Sequence, residues 1–448
     1  MVKDLTKGDV RQVLWTFTIP MFISVVFQQI YNIADSAIAG KFAGEDALAA
    51  VGASYPITMI FMAIAIGSNI GCAVVISRYF GAGDMRRMKT AISTTLIASC
   101  VLSVVLTVIG MLLSESLLGM INTPENIFRS GDVYLKIYIA GLIFVFLYNV
   151  ATGIFTSLGD SKTPLYFLIG SSLGNIGLDL LFVIVFEWGV AGVGWATFIA
   201  QGIACVLALL TLFRRVARIP SGHGKIMLYS HSMFKRICRI AVPSILQQSF
   251  VSVGNIFIQS LVNSFGSGVI AGYSAAVKLN TFTITSFTTL GNGLSSFTAQ
   301  NLGAAKPDRI RKGFFAGAAM GWIIAVPFVI AFFFFGNTVL QIFMENSTGD
   351  AIVAGREFLK IVSPFYFVIS LKLIADGILR GSSVMAGFMI STFTDLILRV
   401  ILAYVFAGVW GSTGIWFSWP VGWTISAVLS LLFYHSLRRR LNTIKTLS

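Results

Sequence analysis

The stretch 214-RRVARIPSGHGKIMLYSHSMFK-235 divides the chain. It is the longest polar connection, and apolar stretches repeat on either side of it. Before it fall stretches near 13–38, 48–73, 90–113, 133–156, 163–186 and 190–213. After it fall 236–262, 269–298, 313–336, 357–379, 385–407 and 411–436. Each is near or above the roughly 20 residues that a helix needs to cross a bilayer. A helix satisfies its own backbone hydrogen bonds in hydrocarbon, whereas a β-barrel would show shorter alternating segments. The expectation is an all-α polytopic membrane protein with twelve transmembrane helices. Residues 1–213 form an N-lobe, 214–235 a basic linker, and 236–448 a C-lobe ending in a basic tail.

Composition agrees. The 448 residues are 56% hydrophobic, with a mean hydropathy of +0.85. Only 11% are charged, against roughly 25% in soluble domains. That excludes a soluble enzyme, a disordered chain and a secreted disulfide scaffold. The formal charge of +14 would suggest nucleic acid in a soluble protein, but its distribution points to a membrane. With twelve spans, 24 of the 32 bases fall on the side that carries both termini and five on the other. The positive-inside rule then puts both termini in the cytoplasm of a multi-pass plasma-membrane protein. No nucleic-acid partner is expected.

The two halves resemble each other. Pro20 and Asn32 match Pro243 and Asn255 at an offset of 223. Gly71, Gly81-Ala82 and Arg87 match Gly293, Gly303-Ala304 and Arg309 at 222, as Gly189 and Gly192 match Gly411 and Gly414. Tyr134-Leu-Lys-Ile matches Phe358-Leu-Lys-Ile at 224. Six spans per repeat insert both halves with one orientation. This predicts two six-helix bundles related by a parallel pseudo-twofold repeat, with a substrate cavity between the lobes.

Seven charged residues fall inside the spans: Asp35, Asp179, Lys278, Lys372, Asp376, Asp395 and Arg399. Each is costly in hydrocarbon and needs a reason. Lys372/Asp376 and Asp395/Arg399 are four apart and read as internal helical ion pairs. Lys278 has no local partner and could snorkel, pair across helices or line the cavity. Asp35 and Asp179 have no base three or four positions away. Their neighbours are neutral: Tyr31 and Asn32 beside Asp35, and Asn175 beside Asp179. An unpaired buried carboxylate must protonate, bind a cation or find a distant base such as Lys278. Carboxylate, amide and hydroxyl oxygens also suit Na⁺, so Asp35, Asn175 and Asp179 are candidate cation ligands. Pro20 lies on the helix of Asp35 and could let that helix bend.

The three histidines (His223, His231, His435) lie in the linker or near the C-terminus, which excludes an intramembrane His site. Cys72, Cys100, Cys205 and Cys238 are scattered without metal-ligand spacing. No reactive constellation and no Gly-rich Walker loop appear, so neither an enzyme nor an ATP-driven pump is expected, and no cofactor.

These residues resemble a known family. Pro20, Gln28-Gln-Ile-Tyr-Asn-Ile-Ala-Asp35 and Gly40 look like the first helix of multidrug and toxic compound extrusion (MATE) transporters. So do Arg78-Tyr-Phe-Gly-Ala82 with its counterpart Gln300-Asn-Leu-Gly-Ala304, Leu158-Gly-Asp160 before Thr163-Pro164, and Asn175-Ile-Gly-Leu-Asp179 before Gly189-Val-Ala-Gly192. The resemblance covers essentially the whole chain. It implies a bacterial efflux transporter that exports amphipathic, mostly cationic drugs in exchange for H⁺ or Na⁺ by alternating access, and confers antibiotic resistance as a monomer. By motif it implies a cation-coupling site of Asp35, Asn175, Asp179 and Thr197. Pro20, Gln28, Tyr31, Asn32, Asn149, Lys278 and Asp376 are candidates for cavity or gating roles. One branch of the family carries a glutamate on helix seven instead. Span seven here contains no acid, which favours a DinF-like branch. The rival reading is a lipid-linked oligosaccharide flippase of the same superfamily, whose cationic cavity Lys278, Lys372 and Arg399 could supply.

Overall fold

The computed structural model describes residues 3–221, 225–341 and 349–447. His223 lies outside them. In chain order the helices are α1 (Val10–Ile38), α2 (Glu45–Gly81), α3 (Met85–Met120), α4 (Glu125–Ala140), α5 (Leu142–Ser157), α6 (Lys162–Leu180) and α7 (Gly189–Arg218). Then follow α8 (His231–Asn263), α9 (Ser267–Gly303), α10 (Pro307–Phe334), α11 (Gly336–Gln341), α12 (Gly349–Val362), α13 (Tyr366–Gly381), α14 (Met385–Trp410) and α15 (Ser412–Leu447). π-helical turns continue α1 at Ala39–Ala43 and α6 at Leu181–Val185, and a 3-10 turn at Ser363–Phe365 joins α12 to α13.

Among the described residues ten helical spans are long and apolar enough to cross a membrane, and the pair α4–α5, bent by 47°, is an eleventh. The twelfth predicted span is α9. Its 37 residues reach about 55 Å at 1.5 Å per residue. It is less apolar because it buries Asn280, Thr283, Ser286, Ser295, Ser296 and Thr298 against other helices, where polar side chains serve packing and hydrogen bonding.

The repeat extends to the breaks. Span four bends at Gly141, and span ten breaks at Ser363–Phe365, an offset of 224 from Gly141 to Phe365. Packing repeats too. A Cβ on Gly131 would meet the Ala50 carbonyl at 3.8 Å, and one on Gly355 would meet the counterpart Gly272 carbonyl at 2.8 Å.

The chain forms two compact units. Unit 1 is Met1–Asp4 with Ile23–Ile245, and unit 2 is Leu5–Phe22 with Leu246–Ser448. The first turns of α1 therefore belong to unit 2 and those of α8 to unit 1. Paired glycines make room for them. A Cβ on Gly71 would come within 2.8 Å of the Ala241 backbone in unit 1, and one on Gly293 within 2.9 Å of Thr18 in unit 2. Thr18 and Ala241 are themselves 223 apart, so the same close approach is built twice.

The cores differ. Unit 1 packs aliphatic side chains with Phe61 and Phe146, whereas unit 2 packs Tyr273, Phe358, Tyr366, Trp416, Trp419 and Trp423. Trp416 lies 5.4 Å from Phe358 between ring centroids, and Trp423 lies 6.2 Å from Tyr366.

Of the two expected helical ion pairs, one forms. Lys372 Nζ lies 2.9 Å from Asp376, both side chains being almost fully buried. Ser391 and Ser430 donate to Asp376 Oδ1 at 3.2 and 2.6 Å. Oδ1 thus carries both hydrogen bonds, while Oδ2 has the Lys372 ion pair and no hydrogen bond. Asp395 and Arg399 correct the expectation: they form no ion pair among the described residues. Arg399 lies over the Trp419 ring at 4.3 Å, and Asp395 Oδ1 has no donor. The tryptophan face competes for the guanidinium, because a desolvated cation–π contact is worth about 2 kcal/mol.

A buried pair is costly to break and cheap to replace whole. Lys372→Met alone is expected to destabilise the protein in detergent by about 3–5 kcal/mol, whereas Lys372→Met with Asp376→Leu restores most of the loss. Thermal unfolding of both variants checks this.

Candidate functional site

The site is built in unit 1 from α1, α4, α5, α6 and α7. Asp35 and Asp179 each stand just before a π-helical turn, at Ala39–Ala43 and Leu181–Val185. Such turns widen a helix locally and are frequent at functional sites. Nothing in the residue spacing signals them.

The two carboxyls are neighbours, and Tyr31 and Tyr134 lie beside both. The Tyr31 hydroxyl donates to Asn175 Oδ1. Asn175 and Asp179 are 3% and 1% exposed, while Asp35 is half-buried. Both Asp179 oxygens, Asp35 Oδ1 and Asn175 Nδ2 have no hydrogen-bond partner. Among the described residues no base pairs with either carboxylate. Two negative charges this close repel strongly in a low-dielectric interior. A shared proton, donated from one carboxyl to the other, or a hard cation held by the orphaned oxygens relieves that repulsion. The donor set fits either.

Beside the pair lies a cavity of about 260 Å³. Gln28, Tyr31, Tyr134, Tyr138, Tyr148, Asn149, Asn175, Thr197, Phe198 and Gln201 are among its lining residues, and no lining side chain is charged. Aromatic faces with hydroxyl and amide oxygens attract cations without fixing one shape.

The predicted residues fall into three groups. Asp35, Tyr31, Asn175 and Asp179 come together. Gln28, Asn149 and Thr197 line the cavity and donate within their own helices: Gln28 to Asn32 Oδ1 at 3.4 Å, Asn149 to the Val145 carbonyl at 2.8 Å, Thr197 to the Val193 carbonyl at 3.1 Å. Asn32 is exposed and outside the cavity wall. Pro20, Lys278 and Asp376 lie in unit 2, with Pro20 buried in an uninterrupted α1 and Lys278 exposed. Sequence reasoning missed Tyr134, Tyr138, Tyr148, Phe198 and Gln201. Their signal was present: positions 134, 138, 141, 145, 148 and 149 form a stripe at helical spacing.

The repeat explains why the cavity is asymmetric. Gly194, Thr197 and Gln201 line it, and 222 residues on stand Trp416, Trp419 and Trp423. Where unit 1 leaves space, unit 2 fills it with three indoles. Asp35 likewise corresponds to Ile258, which is fully buried.

The MatE family model matches the chain twice, over residues 20–181 and 243–405. The chain belongs to the MatE family. The two matches begin 223 residues apart, the offset of Pro20 and Pro243. Along 96% of its length this MatE chain is 28% identical to the probable multidrug resistance protein YpnP of Bacillus subtilis, over 96% of that protein. It is 22% identical to the multidrug export protein MepA of Staphylococcus aureus, covering 97% of this chain and 96% of MepA. Among solved structures, an outward-facing multidrug resistance MATE family transporter of the MOP superfamily superposes with a TM-score of 0.90 at 23% identity, covering 98% of each chain. A MOP superfamily transporter from Pyrococcus furiosus, described as having a binding pocket of reverse polarity, also gives 0.90, at 22% identity and 98% of each chain. At these identities the likeness shows that the MatE chain has the MATE fold, all-helical with many membrane spans.

Proposed function

We propose that this protein is a secondary active multidrug efflux transporter. It exports amphipathic, mostly cationic compounds by alternating access in exchange for H⁺ or Na⁺ taken up at Asp35 and Asp179. The observation that carries this reading is the orphaned carboxyl pair next to Tyr31, Tyr134 and Asn175, which line an uncharged cavity. The names of the relatives YpnP and MepA support multidrug export. Uptake of a cation changes the charge beside the cavity and so its affinity for a cationic drug. Coupling arises because cation and drug favour different conformations. The protein works as a monomer in the cytoplasmic membrane with both termini inside, and uses no cofactor.

A lipid-linked oligosaccharide flippase is disfavoured, because a pyrophosphate needs cations and the cavity lining has none. Lys372 is committed to Asp376 and Arg399 to Trp419.

The test is drug transport in proteoliposomes under imposed proton and Na⁺ gradients, applied separately. Ethidium-type cations are expected to accumulate under at least one gradient. Transport driven by neither would overturn the antiport reading, and movement of lipid-linked sugars instead would favour the flippase.

A further inference from the structure

The connection between the halves carries a second feature, in Ile226-Met-Leu-Tyr229. These four residues are large, apolar and exposed, Leu228 at 76%. A polar cytoplasmic linker has no reason to present such a run to water. The segment is held in place: Met227 N bonds Thr90 Oγ1 at 3.3 Å, Ser93 Oγ bonds the Met227 carbonyl at 3.1 Å, and Ser230 N bonds Thr94 Oγ1 at 3.1 Å. The Met227 amide and carbonyl and the Ser230 amide are thus held on α3 while the four side chains stay exposed. Tyr229 and His231 both pack near Phe234, at 6.2 and 6.4 Å.

Its depth follows from helix length. The 36 residues of α3 span about 54 Å, against a hydrocarbon core of about 30 Å, so roughly 12 Å protrude at each end of a centred helix. Thr90 and Thr94 stand about 8 and 14 Å along α3 from Met85. The pinned segment therefore lies at the boundary between headgroups and acyl chains. Its surroundings are basic: Arg218, Lys225, Lys235 and Arg239 are exposed, and no acid occurs between Glu187 and Asp308.

We infer that Ile226–Tyr229 is an interfacial anchor that inserts into the leaflet on the basic side of the membrane, with the flanking bases holding anionic phospholipid headgroups. Apolar side chains embedded beside basic ones are the combination by which peripheral segments bind such a surface. This goes beyond the orientation bias of the bases, because it assigns a lipid contact to one segment.

The test places a single cysteine at Leu228 in a protein whose four native cysteines are replaced, labels it with a polarity-sensitive fluorophore, and reconstitutes it in phosphatidylcholine with or without phosphatidylglycerol. Arg86→Cys is the exposed control, and Met227→Cys serves if the first variant misfolds. In the mixed lipid the Leu228 label is expected to show a blue-shifted emission and loss of iodide quenching relative to the control. Both effects weaken in phosphatidylcholine alone and in Lys225→Gln with Lys235→Gln and Arg239→Gln. Iodide quenching equal to the control in both lipids would overturn the anchor. Full protection that ignores phosphatidylglycerol and the three bases would overturn headgroup recognition.

Discussion

Asp35→Asn is expected to remove gradient-driven efflux while leaving the protein folded. Asparagine keeps the shape of the side chain and mimics its neutral form, so the local packing survives. It cannot change charge, and the carboxyl pair can no longer alternate between an empty, repelling state and a cation-loaded one. Energetic coupling between two ligands is typically worth about 5–150-fold in affinity. Drug accumulation driven by a proton or Na⁺ gradient should fall by a factor in that range, while equilibrium drug binding to the detergent-solubilised protein persists. Asp179→Asn should behave alike, since its two oxygens have no donor in the structure. The double variant should be no worse than either single one, because residues that act as a unit are not additive. Wild-type accumulation by either single variant would remove the pair from the mechanism.

The second large effect is on stability. Asp160→Ala should destabilise the protein by about 3 kcal/mol or more. Asp160 is 3% exposed and stands just ahead of α6. It accepts from the Lys162 and Thr163 amides, each at 3.1 Å, and from the Thr163 hydroxyl at 2.8 Å. It also pairs with the Arg215 guanidinium, which lies 5.3 Å from the Phe155 ring centroid and donates to Thr163 Oγ1 at 2.8 Å. Removing the carboxylate loses a helix cap, worth about 1 kcal/mol, and leaves Arg215 unpaired beside an apolar ring. Because Arg215 is 27% exposed, water recovers part of that second loss. Asp160→Asn should cost less, since the amide oxygen still caps the helix, and Asp160→Ala with Arg215→Leu should recover part of the deficit. Melting in detergent separates the three variants. The consequence reaches the site, because α6 carries Asn175 and Asp179 and its start sets their position.

How much of this was legible depends on the length scale of the signal. The twelve spans were legible because water and hydrocarbon sort residues over twenty positions at a time. Even α9, less apolar than the others, shows as an apolar stretch near 269–298. Asp35 and Asp179 were legible because a charge in hydrocarbon is conspicuous and neither had a base at helical spacing. The same reasoning was half right about the other charges. Lys372 and Asp376 pair as their spacing suggests, but Arg399 turns to Trp419, 20 residues away in the chain. Helical spacing states which pairs can meet, and competing partners on other helices decide which do.

The sequence by itself thus determined that this is a helical membrane protein of twelve spans in two repeats, with two unpartnered carboxylates in the first. Those facts depend on transfer free energies and on periodicity, which are properties of the chain alone. Only the tertiary structure decided that both carboxylates precede π turns, that they are neighbours, and that the first turns of α1 and α8 belong to the other unit. It also decided that a cavity opens at Gly194, Thr197 and Gln201 while Trp416, Trp419 and Trp423 close the matching space. The physical reason is that side-chain volume and hydrogen-bond partners are settled by whichever neighbours packing brings together. Two halves with one pattern of apolar spans can therefore fill their interiors differently.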